Sequence, residues 1–417
     1  MSPAAAPGGG PRLDYVRTFT LGLGFMVISL TWSIYNAFVP VFYERFIQSG
    51  TIVGLLMTTD NIIGVTLQPW VAYKSDRTWT RLGRRMPYIL VAAPAAAVFF
   101  ILVPHHTSLW MLLFTALGMN LAMGFFRVPA VALMPDITPR PLRSQASGII
   151  NFMGGLGALV AFFIAAPLHR MAPHLPFLVT GLLVFPVVAA LYWRIKEPRH
   201  LGVHQPRKTS FLNAVRSVCH PSRRQVLRLL LAVFAWFVAF TGVEAFFTLH
   251  AIDVLGTDAA AGAFTLGFLA LSFLLFAVPA GFIGGRFGRR RAIMTGLVLL
   301  LAVFAAAAAV RSVQVVRLLF LAAGLAWALV NVNSYPMVVE MASDAETGTY
   351  TGLYYFFSSG AAIVGPPLTG ALRDLFGYEH LFLYAVVPVA VALSLTRRVH
   401  GGEAVPGGKA GAAVAFR

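Results

Sequence analysis

The chain has 417 residues, 58% of them hydrophobic and only 11% charged, with a formal charge of +17 at neutral pH. A soluble domain carries about 25% charged residues and has to cover its core with polar surface, so this composition excludes an ordinary water-soluble fold and implies a chain solvated by lipid. The basic excess lies in short segments between long apolar runs rather than along one amphipathic face, which excludes a nucleic-acid partner, and the single cysteine, Cys219, excludes an intrachain disulfide or a cysteine-rich metal site.

Residues 1–14 are small and rich in Gly and Pro, and a disordered segment is expected there. No signal-peptidase site follows, so the first apolar run should act as an uncleaved insertion signal. A membrane-crossing helix needs about 20 apolar residues. Twelve runs meet that need, at about 16–43, 51–73, 87–104, 109–134, 144–169, 176–194, 227–252, 260–284, 291–310, 316–340, 349–372 and 379–396. The reading is an all-α integral membrane protein of two six-helix bundles (15–195 and 227–397), joined by a basic linker at 196–226 and closed by a tail at 398–417. Of the 32 Lys and Arg, 26 fall on the side of the two termini, five in the opposite loops and one, Arg127, inside a span. Positive loops face the cytoplasm, so both termini are expected inside a cytoplasmic (inner) membrane.

A charge at mid-bilayer costs about 2.5–3.5 kcal/mol on insertion scales and needs a partner or a wet cavity. Trp32, Tyr35 and Asn36 in the first span offer a stacking and hydrogen-bonding wall, or plain aromatic packing. In the second, Asp60, Gly64 and Gln68 recur every four residues and share a face. Asn120, Gly124 and Arg127 form a matching stripe in the fourth, so Asp60 and Arg127 are expected to pair directly or through water, or else simply to tie their helices together. Asn151 in the fifth span is a candidate hydroxyl partner. Glu244 in the seventh admits three roles (proton site, hydroxyl acceptor, gate) besides snorkelling to the interface. Asn331 and Asn333 in the tenth and Tyr354 in the eleventh are further polar candidates, with interhelical hydrogen bonding as the alternative. His105-His106 has no partner at metal-ligand spacing. No Walker loop, HExxH, nucleophile elbow or dinucleotide fingerprint occurs, so no enzyme, cofactor or metal is expected.

Two segments repeat weakly between the halves. AYKSDRTWTRLGRR (72–85) and GFIGGRFGRRR (281–291) each follow a span and end on Gly-Arg-Arg, with Gly285 where Asp76 stands in the first copy. Asp76, Arg77, Gly83, Arg84 and Arg85, with Asp136, Arg143 and Arg289, form a candidate conformational latch on the side of the termini, built from carboxylates, guanidinium groups and helix ends.

The Asp76-Arg77…Gly83-Arg84-Arg85 loop resembles the signature of the major facilitator superfamily. SDRTWTRLGRRMPYIL, with QPW upstream, and RVPAVALMPDITP followed by RSQASGIINFMGGLGA resemble the glycoside–pentoside–hexuronide cation symporters and plant-type sucrose/proton symporters, over roughly residues 51–165. The resemblance implies alternating access, a central sugar site and coupling to a cation. Melibiose-type sodium symporters of that family carry acidic residues where this chain has Gly64, Gln68 and Arg127, so a proton, or no ion, is the expected partner. The resulting expectation is a monomeric proton/sugar symporter for a di- or oligosaccharide, with an exporter or facilitator of another small solute (a drug or a lipid) as the alternative.

Overall fold

The computed structural model describes residues 13–197, 223–343 and 346–403. Residues 1–12, the linker stretch 198–222 with Cys219, and the tail from 404 lie outside the described residues.

Among the described residues, helices account for nearly all regular structure. Twelve are long: α1 (Tyr15–Glu44), α2 (Gly50–Met57 and Thr59–Arg77), α3 (Met86–Leu102), α4 (Leu109–Ile137), α5 (Arg143–Val160), α6 (Leu175–Arg194), α7 (Arg224–Asp253), α8 (Ala259–Phe287), α9 (Arg289–Ala309), α10 (Val313–Val339), α11 (Thr347–Phe376) and α12 (Leu381–Arg397). α5 continues through a π-helical turn at Ala161–Ala165 to Leu168. The starts follow from local chemistry. Asp14, Ser49, Ser108 and Asp258 each accept the backbone N–H three residues on, so one otherwise unpaired donor is satisfied at the head of α1, α2, α4 and α8.

Eleven of these helices are long and apolar enough to cross a membrane. The exception is α11, which is as long as α1 but carries Tyr350, Tyr354, Tyr355, Ser358 and Ser359 in its first half. It replaces apolar surface with hydroxyls because that half faces the interior of the bundle rather than lipid. On the outside the pattern reverses: Val91, Trp110, Phe282 and Leu375 are 73–79% exposed, tolerable only where the solvent is hydrocarbon.

In the first half α1 packs on α5 and α6, and α3 on α4; in the second α7 packs on α11 and α12, and α8 on α10. The small residues of GGLGA (154–158) divide their work. A Cβ on Gly157 would stand 2.2 Å from the Met26 carbonyl oxygen, so glycine is what lets α5 cross α1 that closely. Gly155 meets Leu274 of α8, while Gly154 faces open space.

The repeat is clearer in three dimensions than in the sequence. Gly83 (φ 109°) and Gly288 (φ 98°) both occupy the left-handed region immediately before α3 and α9. A glutamate that follows the last helix of each half, Glu197 and Glu403, packs on that glycine. Glu197 accepts the backbone N–H groups of Arg84, Arg85 and Met86 at 2.8–2.9 Å, which makes it the N-terminal cap of α3. Glu197→Gln should remove a charge-assisted cap worth about 1–2 kcal/mol. The expected result is an apparent Tm a few degrees lower in detergent; an unchanged Tm would mean that the carboxylate adds nothing to the fold.

Candidate functional site

Where the two halves meet, α1, α2, α4 and α5 face α7, α8, α9 and α10 across a cavity of about 570 Å³. A second space of about 300 Å³ adjoins it, shares Trp32, Asp60 and Arg127, and runs between α2 and α4 to the first half of α11. The volumes fall in the range of small-molecule sites, about 300–1,000 Å³.

The two ends of this cavity differ. On the face opposite the termini the halves are locked together. The N-terminal turn of α2 lies against the last turns of α11, and the Asp374 carboxylate accepts the backbone N–H groups of Gly50 (2.6 Å) and Thr51 (3.0 Å) and both hydroxyls of Ser49 and Thr51. Arg373 bridges to Glu44 at 2.6 Å, and Arg170 to Asp258 at 2.8 Å. Partial burial pushes the Asp258 carboxyl up, but hydrogen bonds from Arg170 and from the Ala261 N–H outweigh it and hold the group below its ordinary range.

On the face that carries the termini, the described ion pairs all stay within one half. Arg84 and Arg85 both grip Asp136 (2.6 and 3.1 Å), and Arg85 also pairs with Asp76. Arg143 donates to the Pro135 and Thr138 carbonyls, Arg77 lies over the Tyr73 ring, and Arg289 pairs with Glu340 at 3.0 Å. Arg223 holds Glu346 at 2.7 Å, and its hydrogen bond, seconded by Ser343, keeps that carboxyl below its ordinary range. Among the described residues, none of those assigned to a latch makes an ion pair or hydrogen bond to the other half in this conformation. A Cβ on Gly148, Gly348 or Gly352 would meet nothing within 4 Å. The cavity is therefore open toward the termini and closed on the opposite face.

Asp60 owes its position to a break in α2. Thr58 interrupts the helix, its hydroxyl and that of Thr59 turning back to the Leu55 and Leu56 carbonyls, and Asp60 falls in the first turn of the second segment. The positive end of a half-helix favours a carboxylate there. Asp60 accepts from the Asn61 side chain at 2.8 Å. Arg127, on α4, lines both spaces beside it. The two groups act on each other electrostatically, and among the described residues no direct ion pair joins them, so of the expected arrangements the direct one is not formed. Glu244 of α7 lines the same cavity and faces the Asn36 amide of α1, joining the two halves. It points inward rather than snorkelling.

Trp32, Asn36 and Asn151 line the large space, and Gln68 and Asn120 the small one. The Trp32 indole N–H and the Asn120 amide oxygen are buried without a hydrogen-bond partner. Unmatched groups beside a cavity are what a ligand hydroxyl would satisfy. The other candidates lie elsewhere. Tyr35 is fully buried and takes a hydrogen bond from the Asn120 amide (3.2 Å); Asn333 donates to the Ala280 and Leu329 carbonyls within the α8–α10 contact; Tyr354 pairs with Ser334 at 2.9 Å. Asn331 is not part of either lining. The sequence reading passed over Trp327, which stacks on Phe240 at the cavity edge (4.0 Å between centroids, 7° between planes); as one aromatic among many in an apolar run it carried no local signal.

Twelve long helices in two packed sets around a cavity open at one face define a multi-pass membrane transporter of the major facilitator type. The chain belongs to the MFS/sugar transport protein family, whose profile matches residues 20–394. It is 25% identical over 323 residues to the isoprimeverose transporter of Lactiplantibacillus pentosus, a match covering 72% of this chain and 66% of that protein, just under two thirds of its length. It is 24% identical over 341 residues to the class B tetracycline resistance protein of Escherichia coli, covering 80% and 83%. Its fold matches an inward-facing, occupied bacterial homologue of the human lysosomal transporter Spinster (TM-score 0.75, 16% identity, covering 94% of this chain and 98% of that one) and the nucleoside transporter NupG (0.75, 13%, covering 92% and 99%). The family, the isoprimeverose relative and the two solved structures are transporters, not enzymes.

Proposed function

We propose that this chain is a proton-coupled symporter of a sugar, of di- or oligosaccharide size, that works as a monomer by alternating access between two six-helix bundles. Its termini face the cytoplasm of an inner membrane, so the conformation described is the one open to the cytoplasm. The observation that carries the reading is the unpaired arrangement of Asp60, Arg127 and Glu244 around one cavity. A permanently neutralised ion pair would have nothing to exchange, whereas charges held apart can take up a proton or a hydroxylated solute in turn. Asp60 is the coupling group; Arg127, Trp32, Asn36, Gln68, Asn120 and Asn151 hold the solute; Glu244 links its binding to the second half. The loop from Asp76 to Arg85, with Asp136 and Arg143, and Arg289 on the other side, would meet the opposite half when the cytoplasmic face closes. The likeness to an isoprimeverose transporter supports a sugar as cargo.

A rival reading is an exporter or facilitator of another small solute, a drug or a lipid, supported by the match to a tetracycline resistance protein across most of the chain. Uptake of labelled isoprimeverose, sucrose and maltose into proteoliposomes, with and without an inward proton gradient, separates the two. A symporter accumulates one of these sugars above equilibrium only with the gradient. Failure of all three to move under either condition would remove the sugar reading.

A further inference from the structure

The small space runs in a different direction from the large one. It begins at Asp60 and follows α2 toward the face of the termini, past Gly64 to Gln68. Eight residues at 1.5 Å each put Gln68 about 12 Å from Asp60 along the helix axis. Across from α2 stand Asn120 and Gly124 of α4 and, on α11, Gly352, Tyr355 and Ser359. Gly352 lies in the second turn of α11, where a Cβ would meet nothing within 4 Å. The space therefore leads from Asp60 to the open face between α2 and α11. Asn61 belongs to its wall and not to that of the large cavity, and the Asn61 amide donates to the Asp60 carboxylate at 2.8 Å.

The polar groups along this space are the amides of Asn61, Gln68 and Asn120 and the hydroxyls of Tyr355 and Ser359. Each both donates and accepts, which suits a file of water. Among the described residues, Asp60 is the only carboxylate in its lining. A solute seated in the large cavity covers Asp60 from that side. Were the large cavity the only way to water, a proton on Asp60 would have to wait until the solute had left. We propose that the small space is a separate proton exit. With the solute still in the large cavity, the Asp60 carboxyl gives its proton to water in the small space, the carboxylate stays behind within the field of Arg127, and the proton passes to the face of the termini. The inference rests on Asp60 as the coupling group and adds its route. Gly64 keeps that route passable: a Cβ there would lie 3.4 Å from the Gln68 amide nitrogen, so a longer side chain fills the strip between Asp60 and Gln68.

The test uses the purified full-length chain in lipid nanodiscs, weakly buffered with a pH-sensitive dye. A rapid jump to higher pH reads the release of the Asp60 proton, with and without a saturating sugar, the one of isoprimeverose, sucrose and maltose that calorimetry shows to bind. Asp60→Asn should remove this phase. In the wild type the rate should stay within about twofold whether or not sugar is bound. Gly64→Leu should bind sugar within about twofold of the wild type, release its proton at the wild-type rate when empty, and release it about tenfold or more slowly when sugar is bound. A thermal melt checks that the fold persists, and Gly352→Leu, which fills the same space from α11, serves should Gly64→Leu fail to fold. If sugar slows release in the wild type as strongly as in the variant, or if Gly64→Leu and Gly352→Leu leave the rate with sugar bound unchanged, the proton leaves through the large cavity and the separate route is overturned, while coupling by Asp60 stands. If Gly64→Leu instead weakens sugar binding about tenfold or more, the small space holds part of the solute and the route is likewise overturned. If Asp60→Asn releases the same proton as the wild type, or if no sugar binds, the proton/sugar reading falls and the route falls with it.

Discussion

Asp60→Asn is expected to abolish proton-driven accumulation while leaving solute exchange in place. The substitution is nearly isosteric and keeps an acceptor oxygen at the head of the second α2 segment, next to Asn61, so the cavity should retain its shape. What it removes is, among the described residues, the only carboxylate in the first half that lines the cavity. For one proton per solute, each pH unit of gradient supplies about 1.4 kcal/mol, so two units permit about hundredfold accumulation. The variant should reach about onefold under the same gradient, while counterflow of labelled against unlabelled solute continues. Wild-type accumulation in the variant would make Asp60 structural. Loss of both accumulation and exchange would make it a binding group without a coupling role. Glu244→Gln distinguishes the second carboxylate: it lies beyond the Asn36 contact on the other half, and if Asp60 alone couples, this variant still accumulates solute.

Much of this arrangement is legible in the sequence because the bilayer imposes it. Apolar runs of helical length, the polar linker and the bias of basic residues place all twelve helices, and the four-residue spacing of Asp60, Gly64 and Gln68 puts them on an inward face. The Thr58 break was legible in principle: Thr58-Thr59-Asp60 inside an apolar run has the composition of a helix start. It was hidden because the surrounding run is apolar enough to pass for one continuous span. Polar residues deep in spans are harder. Asn333 and Asn120 look alike in sequence, yet Asn333 spends its amide on two carbonyls while Asn120 keeps an oxygen free beside the cavity. Which occurs depends on the neighbouring helix, and no periodicity encodes that. Glu197 lies at the edge of a basic segment and reads there as a stray acid. Its role as the cap of α3 arises only when the end of α6 returns beside Gly83.

The closed face supplies the other large effect. Where α2 crosses α11 the two backbones touch with no side chain between them. A Cβ on Gly370 would stand 2.0 Å from the Gly50 carbonyl oxygen, and one on Gly54 would stand 2.4 Å from that of Pro366. These neighbours are backbone atoms, so no rotamer change relieves the overlap. Gly370→Leu should therefore prevent the closure that Asp374 completes by capping α2. Overpacking costs about 1–3 kcal/mol even where side chains can adjust, and more where they cannot. A bias of about 2.7 kcal/mol already shifts a two-state ratio a hundredfold. When this face opens, position 370 no longer presses on α2, so the variant should fold and insert normally yet populate the opposite conformation. Transport, which needs both states, should fall by about a hundredfold or more. Spin labels at Gln48 and Glu379, in a background with Cys219→Ser, report the gap directly. The short distance that dominates in the wild type should give way to a longer one. Asp374→Asn, which weakens the cap without adding bulk, should produce a smaller shift in the same direction. A short distance and normal transport in Gly370→Leu would show that closure does not depend on this crossing, and the alternating motion would have to be assigned to a different pair of helices.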